Sequence, residues 1–226
     1  MPSVLITGAN KGIGLAFAQS FAVDGWKVHA CCRQPDKAKG LHGVEGDISL
    51  HKLDVTDGLR VASLARGMLD EKIDILINNA GYYGPRLGFG EIDYEDWAHT
   101  FAVNTMAPLR MVENFIEHVA GSDRKLIVNV SSKMGSVAEN ASGGAYVYRS
   151  SKSALNVVTK SLAVDLEEQG VTVICVHPGH VQTDMGGEQA PLTISKSVSG
   201  LRKLIGKVTH EQTGQFFNYD GTIIPW

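Results

Sequence analysis

Thr7-Gly8-Ala9-Asn10-Lys11-Gly12-Ile13-Gly14 is the stretch that decides the fold. It follows a short apolar run, Val4-Leu5-Ile6, and leads into apolar residues at helical spacing up to Phe21. Its glycines permit a tight exit from a strand, close approach of a phosphate to backbone N–H groups, and close packing of a helix on a sheet. The spacing G-x-x-x-G-x-G between strand and helix favours a dinucleotide site over a turn without a ligand.

Short apolar runs alternate with helical patterns along the rest of the chain. The further strands are predicted at 27–32, 49–54, 74–78, 125–130 and 171–176, with a last one near Phe216, and the helices at 59–69, 94–119 (kinked at Pro108) and 148–169. Continuously apolar strands joined through helices pair in parallel, with both faces covered. The sequence therefore predicts an α/β fold, a doubly wound (Rossmann) domain whose central parallel sheet of about seven strands is flanked by helices on both faces.

Length and composition limit the alternatives. With 226 residues the chain fits one domain, residues 1–226, with a short lid at about 184–207. A net charge of −3 argues against a nucleic-acid partner, and no apolar stretch is long enough for a membrane span. Three cysteines, two of them adjacent, do not make a disulfide framework, so we expect reduced thiols and a cytoplasmic protein.

Ligands of this fold bind where the strands end, so the residues after each strand carry the functional argument. The second strand is followed by Arg33, where a protein selective for NAD usually has an acidic residue. Lys11 adds a second cation from the Gly-rich turn. A guanidinium fork suits a phosphate, so the pair favours NADP, although each residue alone could be an ordinary surface charge.

The third and fourth strands end in residues that allow two interpretations each. Asp54, followed by Val55, could accept a hydrogen bond from an adenine amino group or could cap the next helix. Asn78-Asn79-Ala80-Gly81 could brace the backbone near a ligand or could form a structural turn. Both alternatives stay open from these residues alone.

The fifth strand and the helix after it supply the candidate chemistry. Tyr148 and Lys152 are four residues apart and share one helix face, while Ser132 directly follows the strand. A nearby ammonium would lower the pKa of the phenol and suit it to acid–base work, and the Ser132 hydroxyl could hold a substrate oxygen. Taken alone, such a Tyr–Lys pair is more often an ordinary surface pair.

The ordered set of these motifs resembles the short-chain dehydrogenase/reductase family. The matching pieces span most of the chain: Thr7-Gly8-x-x-x-Gly12-Ile13-Gly14, Asp54-Val55, Asn78-Asn79-Ala80-Gly81, Asn104, Ser132, Tyr148-x-x-x-Lys152, and Pro178-Gly179 with Thr183. The stretches 131–136 and 143–152 and the ending Asp220-Gly221-x-Ile223-x-Pro225-Trp226 resemble the subgroup of small carbonyl reductases that includes sniffer and the C-factor proteins.

The resemblance implies a role for each matching residue. The catalytic residues would be Tyr148 as acid–base, Lys152 as its modulator and a ligand of the nicotinamide ribose, Ser132 as the group that polarises the carbonyl, and Asn104 as the anchor of a water. The NADP-binding residues, besides Tyr148 and Lys152, would be Gly8, Asn10, Lys11, Gly12, Ile13, Gly14, Arg33, Asp54, Val55, Asn79, Ala80, Gly81, Pro178, Gly179, Val181 and Thr183.

The function implied is NADPH-dependent reduction of an aldehyde or ketone, a small-molecule carbonyl substrate. The alternative is a C-factor-like signalling or regulatory protein that binds NADP and turns over little. Family members often form dimers through the helix after Tyr148, and monomers also occur. The resemblance therefore leaves the choice between a homodimer and a monomer undecided. No metal site is expected, because His177 and His180 lack further ligands at suitable spacing. The candidate walls of the substrate pocket are Tyr82, Tyr83, Met134, Tyr146 and the segment after Thr183, each as readily explained by packing.

Overall fold

The computed structural model describes residues 1–226, which form one seven-stranded sheet. All six strand pairs are parallel, and the order across the sheet is β3-β2-β1-β4-β5-β6-β7. The strands are β1 (Ser3–Thr7), β2 (Lys27–Cys32), β3 (Ile48–Lys52), β4 (Ile75–Asn78), β5 (Leu126–Val130), β6 (Thr172–His177) and β7 (Phe216–Asn218). The predicted doubly wound fold with about seven parallel strands is confirmed.

Seven helices cover the two faces of the sheet. They are α1 (Gly12–Val23), α2 (Lys39–His42), α3 (Gly58–Gly67), α4 (Tyr94–Phe101), α5 (Ala107–Ala120), α6 (Tyr146–Asp165) and α7 (Ile194–Lys207), with single 3-10 turns at Pro35–Lys37, Lys133–Gly135, Glu167–Gln169 and His210–Gln212. Side chains of α1 and α7 form one apolar core, and those of α3, α5 and α6 form the other. The strands in the middle of the sheet are mostly apolar because their alternate side chains enter opposite cores, as Ile6 and Leu5 do.

The helical region predicted at 94–119 is broken, but not by its proline. Pro108 lies in the first turn of α5, where a missing N–H removes no helical hydrogen bond. The irregular part is a π-helical turn, Ala102–Met106, between α4 and α5. This turn contains Asn104, which is fully buried.

The segment predicted as a lid, 184–207, contains two different kinds of structure. Residues 194–207 are helix α7, whose apolar side chains Val198, Leu201, Leu204 and Ile205 belong to the core shared with α1. Only residues 184–193 lie outside the helices and strands. A lid is therefore predicted only for residues 184–193.

Two further observations concern the chain as a whole. Cys31, Cys32 and Cys175 are free and buried. None of the helices combines the length and the apolar character that crossing a bilayer requires.

Candidate active site

The Gly-rich turn connects β1 to α1 with backbone that few other residues allow. Gly8 has φ +66°, and a Cβ there would lie 3.0 Å from the Cα of Ala80. A Cβ on Gly14 would lie 2.3 Å from the carbonyl oxygen of Gly8, so α1 can begin this close to the strand only with glycine. Asn10 is exposed in the turn, and Ile13 packs against the core.

The first turn of α1 offers free backbone donors. No side chain caps it and it contains no acidic residue, whereas Asp57, Asp93 and Thr193 cap α3, α4 and α7. Uncapped N–H groups at a helix N-terminus, with the positive end of the helix dipole, form an anion site. This end of the sheet therefore fits the pyrophosphate of a dinucleotide.

The residues after β4 brace the Gly-rich turn. The side-chain amide of Asn79 donates to the carbonyl oxygens of Thr7 at 2.9 Å and Gly8 at 3.2 Å. The Thr7 hydroxyl accepts from the backbone N–H groups of Asn79 and Ala80, both at 3.0 Å. Asn78 instead donates to Asn129 of β5 at 2.9 Å. The Asn78–Gly81 stretch thus braces the backbone of the Gly-rich turn, which is one of the two interpretations that the sequence allowed.

Cationic and acidic groups lie at the same end of the sheet, directly after β2 and β3. Arg33 is exposed directly after β2. Asp54 accepts hydrogen bonds from the N–H and hydroxyl of Thr56, and these, together with nearby Arg33, hold its pKa below the ordinary value. The cap of α3 is Asp57, so the capping alternative for Asp54 does not apply. Val55 is buried in the core of α3 and α5.

Lys11 forms an ion pair that the sequence did not indicate. Its ammonium lies 2.7 Å from the carboxylate of Asp184, which follows Thr183. The Thr183 methyl would lie 3.5 Å from a Cβ on Gly12. These two distances show that the segment after β6 lies against the Gly-rich turn.

The residues between β6 and α7 form a compact turn. Gly179 has φ +87°, and a Cβ there would meet Leu192 at 2.5 Å. Pro178 is half-buried before it, and Val181 pairs with Leu192 in an isolated bridge. The Thr183 hydroxyl accepts from the N–H of Gly186 at 3.1 Å. The predicted residues of this stretch therefore lie together, at the carboxyl end of β6.

Tyr148 and Lys152 lie on the buried side of α6, with 8% and 4% of their surfaces exposed. The Lys152 ammonium donates to the carbonyl oxygen of Val130 at 2.9 Å and lies 5.9 Å from the centre of the Tyr148 ring. Ser132, 7% exposed, follows β5, and its hydroxyl accepts from the N–H of Met134 at 3.2 Å. The three candidate catalytic side chains are thus brought together where β5 ends.

Burial dominates the electrostatics of this cluster. It raises the pKa of Tyr148 to about 12, opposed in part by a hydrogen bond with Ser132. It also lowers the pKa of Lys152 to about 8. Burial outweighs the expected lowering of the Tyr148 pKa by Lys152, so the net shift is upward. The reason is that both groups lose hydration in one dry site while the ammonium is bound to a backbone carbonyl.

Asn104 connects the π-helical turn to the catalytic helix. Its amide donates to the carbonyl oxygen of Tyr82 at 2.7 Å and to the Ser151 hydroxyl at 3.0 Å, and its oxygen accepts from the N–H of Tyr82 at 2.8 Å. These contacts join the loop after β4 to α6, and the role of Asn104 as a water anchor stays a prediction. Gly81 is the closest approach of that loop to Lys152, since a Cβ on it would lie 3.7 Å from the ammonium.

Arg149 is a site residue to which the sequence analysis assigned no role. It donates to the carbonyl oxygens of Met134 at 3.3 Å and Gly143 at 3.2 Å, and to the Ser142 hydroxyl at 2.8 Å. Arg149 therefore holds the segment between Ser132 and Tyr148 in place. Its place beside Tyr148 was the only sequence signal.

An apolar cavity adjoins the phenol of Tyr148. It is lined by Tyr83, Pro85, Leu87, Ile92, Ala145, Tyr146, Val147 and Tyr148 itself. Of the four candidate wall residues, Tyr83 and Tyr146 contribute to it, and Tyr82 and Met134 do not. No charged side chain lines the cavity.

Comparisons with known proteins agree with this arrangement. The family model described as short chain dehydrogenase matches residues 2–192. The C-signal protein of Myxococcus xanthus is 43% identical over 154 residues, 68% of this chain and 93% of that protein. The carbonyl reductase Sniffer of D. melanogaster superposes with a TM-score of 0.94 at 32% identity over 100% of both chains. The NADPH-bound carbonyl reductase from chicken fatty liver gives a TM-score of 0.93 at 29% identity, over 100% of this chain and 99% of that one.

These similarities confirm the resemblance to the family and to its sniffer and C-factor-like members. The match covers most of the chain, including the Gly-rich turn, the Ser132 segment and the Tyr148–Lys152 pair. The chain belongs to the short chain dehydrogenase family, and it is an oxidoreductase of that family.

Proposed function

We propose that this chain is an NADPH-dependent carbonyl reductase that converts an aldehyde or ketone to the alcohol. The observation that carries the proposal is the convergence of Ser132, Tyr148 and Lys152 at the strand ends, beside an uncapped helix N-terminus and an apolar cavity. The structures with TM-scores of 0.94 and 0.93 are both of carbonyl reductases, one of them with NADPH bound.

NADP fits the cleft better than NAD. Arg33 is exposed after β2, with no acidic residue in the position that would bond a ribose 2′-hydroxyl. The Gly-rich turn and the free N–H groups of α1 would hold the pyrophosphate. Asp54 and Val55 would contact the adenine, and Asn79, Ala80 and Gly81 the adenosine ribose. Pro178, Gly179, Val181 and Thr183 would contact the carboxamide of the nicotinamide.

The chemistry divides between cofactor and protein. The bound dinucleotide would supply the hydride to the carbonyl carbon. Tyr148 donates its proton to the carbonyl oxygen, and its phenol is protonated at neutral pH. The Ser132 hydroxyl donates a hydrogen bond to the same oxygen and stabilises the charge that develops there. Lys152 supplies a nearby positive charge for the phenolate that remains.

Removing the Tyr148 hydroxyl tests the assignment. We expect Tyr148→Phe to bind NADPH with nearly unchanged affinity but to lose turnover by about two to four orders of magnitude, since general acid catalysis contributes about that much. The measurement is NADPH consumption with a panel of aldehydes and ketones, beside a binding titration. Substantial retained activity in Tyr148→Phe would overturn the role of Tyr148.

A second candidate function is an NADP-binding signalling protein with little turnover. The similarity to the C-signal protein of Myxococcus xanthus is the observation that favours it. The buried Ser132, Tyr148 and Lys152 weigh against it, because binding alone gives no reason to bury these three groups together. Tight NADPH binding by the wild-type chain with no oxidation across a broad carbonyl panel would favour this candidate.

The remaining features of the proposal concern the whole chain. We place residues 1–226 in one domain with a small-molecule carbonyl as partner, in the cytoplasm. A homodimer would form through α6, which exposes Val157 and Val164, 66% and 59% accessible and seven residues apart on one helix face. Gel filtration distinguishes this dimer from a monomer.

A further inference from the structure

Two adjacent tyrosines in the loop after β4 point to different surroundings. The Tyr82 hydroxyl donates to the carboxylate of Asp96 at 2.9 Å, and its ring packs edge-on against His99. The Tyr83 ring lies instead on the ring of Tyr148, with 4.4 Å between centroids and 23° between planes. One of the two tyrosines therefore contacts the proposed proton donor, and its neighbour does not.

The position of Tyr83 is fixed from the other side and by the backbone. The guanidinium of Arg86 lies 5.0 Å from the centre of the Tyr83 ring and donates to the carbonyl oxygen of Met185 at 3.3 Å. Gly84 has φ +79°, and a Cβ there would lie 2.8 Å from the carboxylate of Asp96. Glycine at this point adopts, without strain, the positive φ with which the loop turns beside Asp96.

Tyr83 also faces the apolar cavity beside the proposed proton donor. Tyr83 and Tyr148 line this cavity together with aliphatic side chains such as Leu87 and Ile92. None of the lining residues is charged. A flat aromatic wall beside the reacting hydroxyl can orient a planar apolar substituent and keeps water from the phenol.

We propose that Tyr83 is a positioning and specificity-determining residue for the carbonyl reduction proposed above, on which this inference rests. Its ring fixes the plane of the Tyr148 phenol, shields that phenol from water, and forms the wall against which a planar apolar substituent of the substrate packs. Its effect on chemistry passes through Tyr148. Consistent with this placement, Tyr83 is one of the groups that keep the pKa of Tyr148 high, after burial.

The test compares Tyr83→Phe, which keeps the aromatic ring, with Tyr83→Leu, which does not. Tyr82→Leu is the matched control, because Tyr82 is adjacent in sequence and lies outside the cavity. Benzaldehyde carries a planar apolar ring, and acetaldehyde carries a single methyl group. Thermal midpoints of all variants show whether each is folded, and Tyr83→Phe keeps the test informative if Tyr83→Leu is unstable.

We expect Tyr83→Phe to keep KM and kcat within about twofold for both aldehydes. Tyr83→Leu should raise KM for benzaldehyde about tenfold, the effect of losing good apolar contact in a pocket, and change KM for acetaldehyde less than about threefold. The pKa of Tyr148, measured from the tyrosinate absorbance that Tyr148→Phe lacks, should be lower in Tyr83→Leu than in the wild type, because water reaches the phenol. Tyr82→Leu should match the wild type in both measurements.

Three results would overturn the inference. They are an unchanged benzaldehyde KM and an unchanged Tyr148 pKa in Tyr83→Leu, equal losses in Tyr83→Leu and Tyr82→Leu, and a Tyr83→Phe variant as impaired as Tyr83→Leu. If the wild type oxidises NADPH with neither aldehyde, the proposed function fails first. The contact is then tested by tyrosinate absorbance: the component lost in Tyr148→Phe should titrate at lower pH in Tyr83→Leu, and an unmoved component overturns the inference.

Discussion

At the scale of single residues, Lys11 and Arg33 no longer look equivalent. Both are exposed cations near the predicted 2′-phosphate position. Lys11 is paired with Asp184, whereas Arg33 takes part in none of the ion pairs. Arg33 is therefore the cation that can bind a phosphate without first giving up a carboxylate partner.

Charge reversal at Arg33 tests this difference. We expect Arg33→Asp to lower kcat/KM for NADPH and to shift the preference towards NADH by roughly tenfold or more, since an acidic residue can bond a ribose hydroxyl and repels a phosphate. Lys37→Asp, the same charge change at an exposed position in the following 3-10 turn, serves as the control. An unaltered ratio of the two kcat/KM values in Arg33→Asp would exclude the 2′-phosphate role.

The site residues could be predicted from the sequence because the fold places strand ends together. Ser132 follows β5, whereas Tyr148 and Lys152 lie on α6, and α6 packs against the end of β5 so that the three side chains meet. The direction of the Tyr148 pKa could not be predicted, because it depends on how much water the assembled site excludes. The contact of Tyr83 with Tyr148 also depends on tertiary packing, which periodicity does not encode.

At the scale of elements, the entry to α6 carries unusual backbone. Gly143, Gly144 and Ala145 all have positive φ, at 63°, 64° and 46°. A glycine adopts this conformation freely, while an alanine there is strained by roughly 1 kcal/mol. The strain lies three residues before Tyr148, in the segment that Arg149 holds in place.

Relief of this strain is measurable as stability. We expect Ala145→Gly to raise the free energy of unfolding by about 0.5–1 kcal/mol, because glycine removes the Cβ clash at positive φ. Ala154→Gly, in the interior of the same helix, should lower it by about 1 kcal/mol. Urea unfolding of the two variants measures both changes. A destabilised Ala145→Gly variant would show that no strain is stored at this position.

The boundaries of the elements show where sequence patterns lose information. The break near Pro108 was predicted, but its form, a π-helical turn carrying Asn104, arises from contacts of Asn104 with Tyr82 and Ser151 across 22 and 47 residues. The third strand was placed at 49–54 and is Ile48–Lys52, because its side chains are only half-buried and the apolar signal is weak. The segment 194–207 looked like a lid because the packing of α7 against α1 is tertiary.

At the scale of the whole molecule, the buried His29 and the half-buried His177 link folding to pH. His29 on β2 is 2% exposed, and its Nδ1 lies 3.1 Å from Nε2 of His51. Burial lowers the pKa of His29 to about 4, with His51 adding to the shift. Burial also lowers the pKa of His177, at the end of β6, to about 4. Both histidine side chains are therefore neutral in the folded protein at pH 7.

Stability should fall as the solution is acidified below pH 6.5. In the unfolded chain a histidine takes up a proton near pH 6.5, while the folded chain does not until about pH 4, so protonation favours unfolding across this window. We expect a loss of about 1–3 kcal/mol for each histidine between these limits. His29→Gln should reduce the pH slope, and His42→Gln, at an exposed site, should not. A flat thermal midpoint between pH 7 and pH 4.5 would contradict the assignment.

The strand order also determines how the molecule can be assembled. Reading along the chain, β2 and then β3 are added on one side of β1, and β4, β5, β6 and β7 are added in turn on the other. No strand has to enter between two strands that are already paired. A nascent chain can therefore enlarge its sheet from the N-terminus by adding each new strand to a free border, and every intermediate length keeps the strands already formed in their final neighbourhoods.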